Sequence, residues 1–275
     1  MQGRIIKSIS NDYTVLCGNE TYLCKGRGKL KFQNIKPMVG DIVELDEDFL
    51  IKEIHPRKNE LIRPVISNVD QAYLITSLKH PNLDLNLLDK LLVIIEFNNI
   101  KPIICFTKTD LLTEMEKKEF EEVKNYYEKI GIKVFLNTEI EKIKESFKDN
   151  ISVFTGQTGA GKSTLLNHLD PNLSLETNEI SLALNRGKNT TTHVELLEIE
   201  GGWVADSPGF SDVYMDMTKE QIRDNMIEFE FYKEKCKYRD CMHYREDDCE
   251  IKRQVENGNI RKSRYENYLK FISRW

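Results

Sequence analysis

The chain has no apolar run long enough to cross a membrane. Its first residues, Met1-Gln2-Gly3-Arg4-Ile5-Ile6, also lack the long apolar stretch of a secretory signal. These absences argue against a helical membrane protein and an exported one, and a cytoplasmic protein is expected. There is no basic excess either: 40 Lys and Arg stand against 45 Asp and Glu, a net charge of -5. Overall charge therefore does not advertise nucleic-acid binding. Cysteine is scarce, with six in all. Cys17, Cys24 and Cys105 are scattered through apparent strands and read as buried small side chains, which leaves three that cluster.

What is there is 275 residues of ordinary hydrophobic content, enough for two or three domains and a substantial core. Residues 1–63 show five short alternating runs, at 3–10, 12–17, 20–25, 41–45 and 49–54, separated by turn residues. That pattern suits an OB-type β-barrel, a fold that binds single-stranded nucleic acid in a groove with stacked aromatics. Tyr13, Tyr22 and Phe32 fit either stacking or the core. Residues 64–212 alternate strands with helices, including an apolar helix over 86–98 and an amphipathic one over 116–130. This is the pattern of a nucleotide-binding α/β domain. Residues 213–275 read as helical and polar. The end segments are mildly basic and the centre acidic; 25–31 and 261–264 are the basic stretches that suit RNA contact or a solvated surface.

Two pieces of one GTP site stand in the central segment. Gly156-Gln157-Thr158-Gly159-Ala160-Gly161-Lys162-Ser163 fits the G-x-x-x-x-G-K-[ST] phosphate loop, with a β-branched run at 151–155 before it and a helix over 162–169, Thr164 in its first turn, after it. Glycines let backbone N–H groups converge on phosphate oxygens, at the electropositive end of a helix. Lys162 is expected at the β- and γ-phosphates and the Ser163 hydroxyl on Mg²⁺. Thr107-Lys108-Thr109-Asp110 fits the [NT]-K-x-D guanine motif, just past the strand at 101–106. A carboxylate there accepts from guanine N1–H and the N2 amino group, a pair that adenine does not offer, and the Lys108 stem covers the base. The same four residues also suit a helix N-cap, Asp110 or Thr109 capping a helix that begins near Leu111. The phosphate loop in the same chain decides for guanine. In ordinary GTPases the phosphate loop comes first; here the guanine motif lies upstream, so the domain is expected to be circularly permuted.

Two further stretches complete the site. Trp203-Val204-Ala205-Asp206-Ser207-Pro208-Gly209 reads as a strand ending in D-x-P-G, with Asp206 for Mg²⁺ through water and the Gly209 N–H for the γ-phosphate; a plain turn is the alternative. Between it and the phosphate loop, Asn185-Arg186-Gly187-Lys188-Asn189-Thr190-Thr191-Thr192-His193 suits a mobile switch in which one Thr closes on Mg²⁺ and γ-phosphate. In the last segment Cys236, Cys241, His243 and Cys249 form C-x4-C-x-H-x5-C. Three thiolates and an imidazole make a closed tetrahedral shell, which favours structural zinc over catalytic zinc.

Barrel, permuted guanine and phosphate motifs, T-T-T-H-V-E-L, D-S-P-G and the C-x4-C-x-H-x5-C site together resemble the RsgA (YjeQ) family, bacterial GTPases that depend on the small ribosomal subunit. The resemblance spans the whole chain. It implies a monomer acting late in assembly of the 30S subunit: docking on rRNA near the decoding region, subunit-stimulated hydrolysis of GTP to GDP and phosphate, then release. It also places Thr191 as the switch threonine at Mg²⁺. Three positions depart from common patterns. Asn189 stands where family members generally carry a His implicated in hydrolysis, and Ser207 stands where they often carry Thr. Phe210 stands where Ras-like GTPases place a water-orienting Gln. Slow intrinsic turnover follows, with the subunit ordering the switch or supplying a missing group. A scaffold that binds RNA and uses GTP only for stability competes with this reading. An ATPase is disfavoured by Asp110.

Overall fold

The computed structural model describes residues 1–26, 36–61, 64–171, 194–206 and 215–273, with Asp206 described by its backbone alone. Strands Gln2–Ile9 (β1), Asp12–Cys17 (β2), Glu20–Gly26 (β3), Ile42–Leu45 (β4) and Leu50–Ile54 (β5) form a barrel. Their order is β1-β2-β3-β5-β4, closed by β4 pairing back onto β1. All five lie within two residues of the expected runs. Period-2 alternation puts Ile5, Tyr13, Val15, Cys24, Val43, Leu45 and Ile51 inside. Tyr13 is thereby a core residue, whereas Tyr22 stays half-buried and stacks on Phe49 with centroids 4.8 Å apart. Phe32, and 27–31 of the first basic stretch, lie outside the described residues.

A two-residue ladder, Glu60–Leu61 (β6) with Ile66–Ser67 (β7), leads into the second unit. Asp41, fully buried at this joint, accepts from Arg57 Nε and Nη2 at 2.7 and 2.8 Å and from Ser67 Oγ at 2.6 Å. The second unit has strands Gln71–Ser77 (β8), Lys101–Thr107 (β9), Lys133–Leu136 (β10), Ile151–Gly156 (β11), Val194–Ile199 (β12) and Gly202–Asp206 (β13). They lie in the order β10-β9-β8-β11-β13-β12, parallel except for β12. All of β8 and β11 is buried, because helices cover both faces. Leu85–Phe97 (α1) and Glu114–Lys129 (α2) lie over Leu74, Ile104 and Phe106. Ile140–Glu145 (α3) and Lys162–Leu169 (α4) lie over Tyr73, Ile75, Ile103 and Cys105.

The barrel and this sheet are continuous. The first half of β1 (residues 2–4) pairs with β4 and closes the barrel, while Lys7 and Ser8 pair with Glu195 and Val194 of β12. Lys7 Nζ reinforces the joint with an ion pair to Glu195 at 2.8 Å.

The C-terminal unit consists of Lys219–Asp224 (α5), Glu250–Glu256 (α6), Lys262–Ile272 (α7) and two 3-10 turns, Ile227–Phe231 and Lys233–Lys235. Its sequence is polar, yet it has a core: Met217, Ile222, Met226, Phe229, Tyr268 and Phe271 pack against Val93 and Ile94 of α1. Arg264 is 1 % exposed and lies within this packing, so the basic run 261–264 is only partly a surface. Its guanidinium donates to Glu228 at 2.8 and 3.2 Å and to Asp89 of α1 at 2.8 Å, and Tyr127 and Asn267 donate to the same Asp89. Burial works against this charge, but the two carboxylates outweigh it and hold the Arg264 pKa above the ordinary arginine value.

Candidate nucleotide site and metal centre

The parallel strands end at one edge. Ser77 is level with Thr107 and Ile75 with Gly156, while Asp206 follows Ala205, the partner of Val153. Crevices at this carboxyl edge bind ligands in open α/β sheets. β11 enters the phosphate loop from the middle of the sheet. Gly156 has φ +138°, and a Cβ there would stand 2.1 Å from the Ile75 carbonyl oxygen. Gly161, at φ +93°, caps α4 in the left-handed region. Thr158, Gly159 and Thr164 are exposed, Gln157, Lys162 and Ser163 are half-buried, and Ala160 is fully buried. The Lys162 ammonium donates to the carbonyls of Gly156 at 3.0 Å and Gln157 at 3.2 Å, so the loop curls around its own lysine.

The guanine motif sits directly against this loop. Thr107 Oγ1 donates to Ala160 O at 2.7 Å, and Lys108 Nζ donates to Gly159 O at 2.9 Å and to the His80 carbonyl. Residues more than fifty positions apart in the chain thus form one surface. Lys108 has φ +61°, and the 3-10 turn Thr109–Leu111 that follows leaves Asp110 exposed. The capping alternative for Asp110 does not hold. The next helix, α2, starts at Glu114, and its cap is Thr113, in a reciprocal capping box with Glu116. That box also moves the helix start two residues ahead of the expected 116. Sequence reasoning missed the ties from Thr107, Lys108 and the 78–80 loop, which join segments carrying no local mark of their pairing. Asn189, Thr191, Ser207, Gly209 and Phe210 lie outside the described residues, as does the D-S-P-G turn beyond Asp206.

Cys236, Cys241, His243 and Cys249 do come together. Their ligand atoms all lie within 4.8 Å of one another. His243 Nδ1 is 3.6 Å from Cys236 Sγ and 3.4 Å from Cys249 Sγ. Burial, aided by the Arg223 charge, pushes the His243 pKa down to about 4, which leaves a neutral imidazole with a lone pair to give. Burial also pushes the Cys241 thiol up to about 12. Thiolates in this pocket therefore call for compensating positive charge, which a dication supplies. The donor set fits zinc.

A P-loop sheet with its guanine strand placed before its phosphate strand, joined to a closed five-strand barrel, is the architecture of a circularly permuted GTPase. The comparisons agree: residues 54–216 match the RsgA GTPase family and residues 2–49 the RsgA N-terminal domain. The chain is 45% identical over 280 residues to the small ribosomal subunit biogenesis GTPase RsgA of Enterococcus faecalis, covering 99% of this chain and 94% of that one. Among solved structures it resembles YloQ, described as a circularly permuted GTPase, with a TM-score of 0.85 and 36% identity over 99% of this chain and 94% of that one. It also resembles YjeQ from Thermotoga maritima, with a TM-score of 0.85 and 33% identity over 99% of this chain and 97% of that one. The chain belongs to the RsgA GTPase family and is a GTP hydrolase.

Proposed function

We propose that this GTPase acts in late maturation of the small ribosomal subunit. It docks on rRNA near the decoding region, hydrolyses GTP when the subunit stimulates it, and is released. The observation that carries the nucleotide half is the contact of Thr107 and Lys108 with Ala160 and Gly159, which joins base reading to phosphate binding. The ribosomal half rests on the relatives' names. The units are a barrel over 1–63, the GTPase domain over 64–212 and a zinc unit over 213–275, in a cytoplasmic monomer that does not engage membranes. Among the described residues no helix is long and apolar enough to cross a membrane.

Each residue has a task. Asp110 accepts from guanine N1–H and the N2 amino group while the Lys108 stem covers the base. Backbone N–H groups from Gly156 to Thr164 cradle the phosphates, with Lys162 at the β- and γ-oxygens. Ser163, Thr191 and Asp206 would hold Mg²⁺, which would supply positive charge against the phosphates. Thr191 and the Gly209 N–H close on the γ-phosphate. Neither Asn189 nor Phe210 is a general base, so alignment of the attacking water falls to the subunit, acting on residues 187–193 or supplying a missing group. Cys236, Cys241, His243 and Cys249 would hold zinc, which would stabilise the C-terminal unit.

A groove of about 640 Å³ beside the zinc loop supports RNA contact: Lys219, Arg245 and Lys270 surround it, Met242, Tyr244 and Leu269 help to form it, and among the described residues no carboxylate side chain lines it. Arg245 stacks on the exposed ring of Tyr244, 5.0 Å from its centroid. Cations beside an open aromatic suit phosphate and base together. The test is GTP turnover with and without purified small subunits, for the native chain and Asn189→His. Stimulation by the subunit is expected. Turnover unchanged at saturating subunit, with binding shown separately, overturns the proposal.

A further inference from the structure

The turn that carries Asp110 is weakly built. It is a single 3-10 turn with N···O distances of 3.2 and 3.3 Å, and both Asp110 and Leu111 are exposed. A bidentate reader of guanine needs a fixed carboxylate. Both ends of the turn are held by two consecutive residues after β8. On the upstream side the His80 carbonyl accepts from Lys108 Nζ. On the downstream side the Lys79 ammonium is paired with Glu116 Oε1, and Glu116 Oε2 accepts from the Thr113 N–H and hydroxyl, each at 2.9 Å. The 78–80 loop is itself anchored, since Leu78 N–H donates to Thr107 O at 3.2 Å and Ser77 Oγ to Lys79 O at 2.6 Å. One short loop thus grips the Asp110 turn from both sides.

We propose that Lys79 and Glu116 are positioning residues for guanine specificity, stapling the Asp110 turn in place across the 78–80 loop. The inference rests on the guanine-reading role of Asp110. The measurement is the dissociation constant for GDP and for IDP, which lacks the exocyclic amino group. Lys79→Met removes the pair from one side. Glu116→Gln removes it from the other while a glutamine still closes the capping box. Each is expected to shrink the preference for GDP over IDP by roughly two- to fivefold, the range a half-exposed ion pair supports. Lys79→Arg keeps the pair and is expected to keep the preference. A preference unchanged in either Lys79→Met or Glu116→Gln overturns the staple, even where both nucleotides bind more weakly, because a general loosening moves the two together. Asp110→Asn in the same assay separates the layers. If it retains the native preference, guanine reading by Asp110 is wrong. If it loses the preference while the staple variants retain it, only the staple is wrong.

Discussion

Thr107 shows how a motif residue acts through the backbone. Its hydroxyl is buried and serves the Ala160 carbonyl of the phosphate loop. Thr107→Val keeps the shape and strands that acceptor, which should cost about 1–3 kcal/mol in the free protein. Urea unfolding measures it, and weaker binding of every nucleotide should accompany it. Asp110→Asn should behave differently. The exposed side chain supports nothing else, so stability should hold, GTP binding should fall by about 1–3 kcal/mol or more, and xanthosine triphosphate should bind better, since its C2 oxygen accepts from the new amide. Competition binding distinguishes the two variants. The place of Asp110 just past β9 was legible because T-K-x-D follows a strand. The acceptor of Thr107 was not, because which loop faces β9 depends on strand order, and order is a long-range property. Arg264 carried a signal that its basic neighbours masked: Tyr268 and Phe271 follow at i+4 and i+7, so it lies on the buried face of α7.

At the level of elements, β11, the glycine loop and α4 follow from local chemistry, and both α4 bounds agree with the sequence reading. Both extra strand residues next to the site, Thr107 and Gly156, extend strands toward the carboxyl edge. The gathering of Cys236, Cys241, His243 and Cys249 was readable from spacing alone, because four such side chains within fourteen residues leave little freedom. What spacing did not give is the packing of its unit on α1. One zinc per chain is expected on metal analysis after chelator-free purification, and less than half an equivalent counts against the site. Cys241→Ser should lower the metal content and open residues 215–273 to protease. Because Val93 and Ile94 share that core, α1 should gain amide exchange as well.

Over the whole molecule, a buried charge cluster ties the C-terminal unit to α1 and α2 of the GTPase unit. Arg264→Met leaves Asp89 and Glu228 buried without their cation, and the expected loss is about 3–5 kcal/mol. Denaturant unfolding followed by tyrosine fluorescence measures it. Arg264→Lys should not restore the loss, since one ammonium cannot reproduce the forked contacts to both carboxylates. The other joint, between β1 and β12, has a mechanical meaning. Ser8 of the barrel is paired with Val194, and Val194 is three residues past Thr191. Three residues of fully extended chain span at most about 11 Å. The barrel is therefore fastened not to the middle of the sheet but to β12, which begins at Val194. Whatever grips the barrel pulls directly on β12, through the backbone bonds that Lys7 and Ser8 share with it.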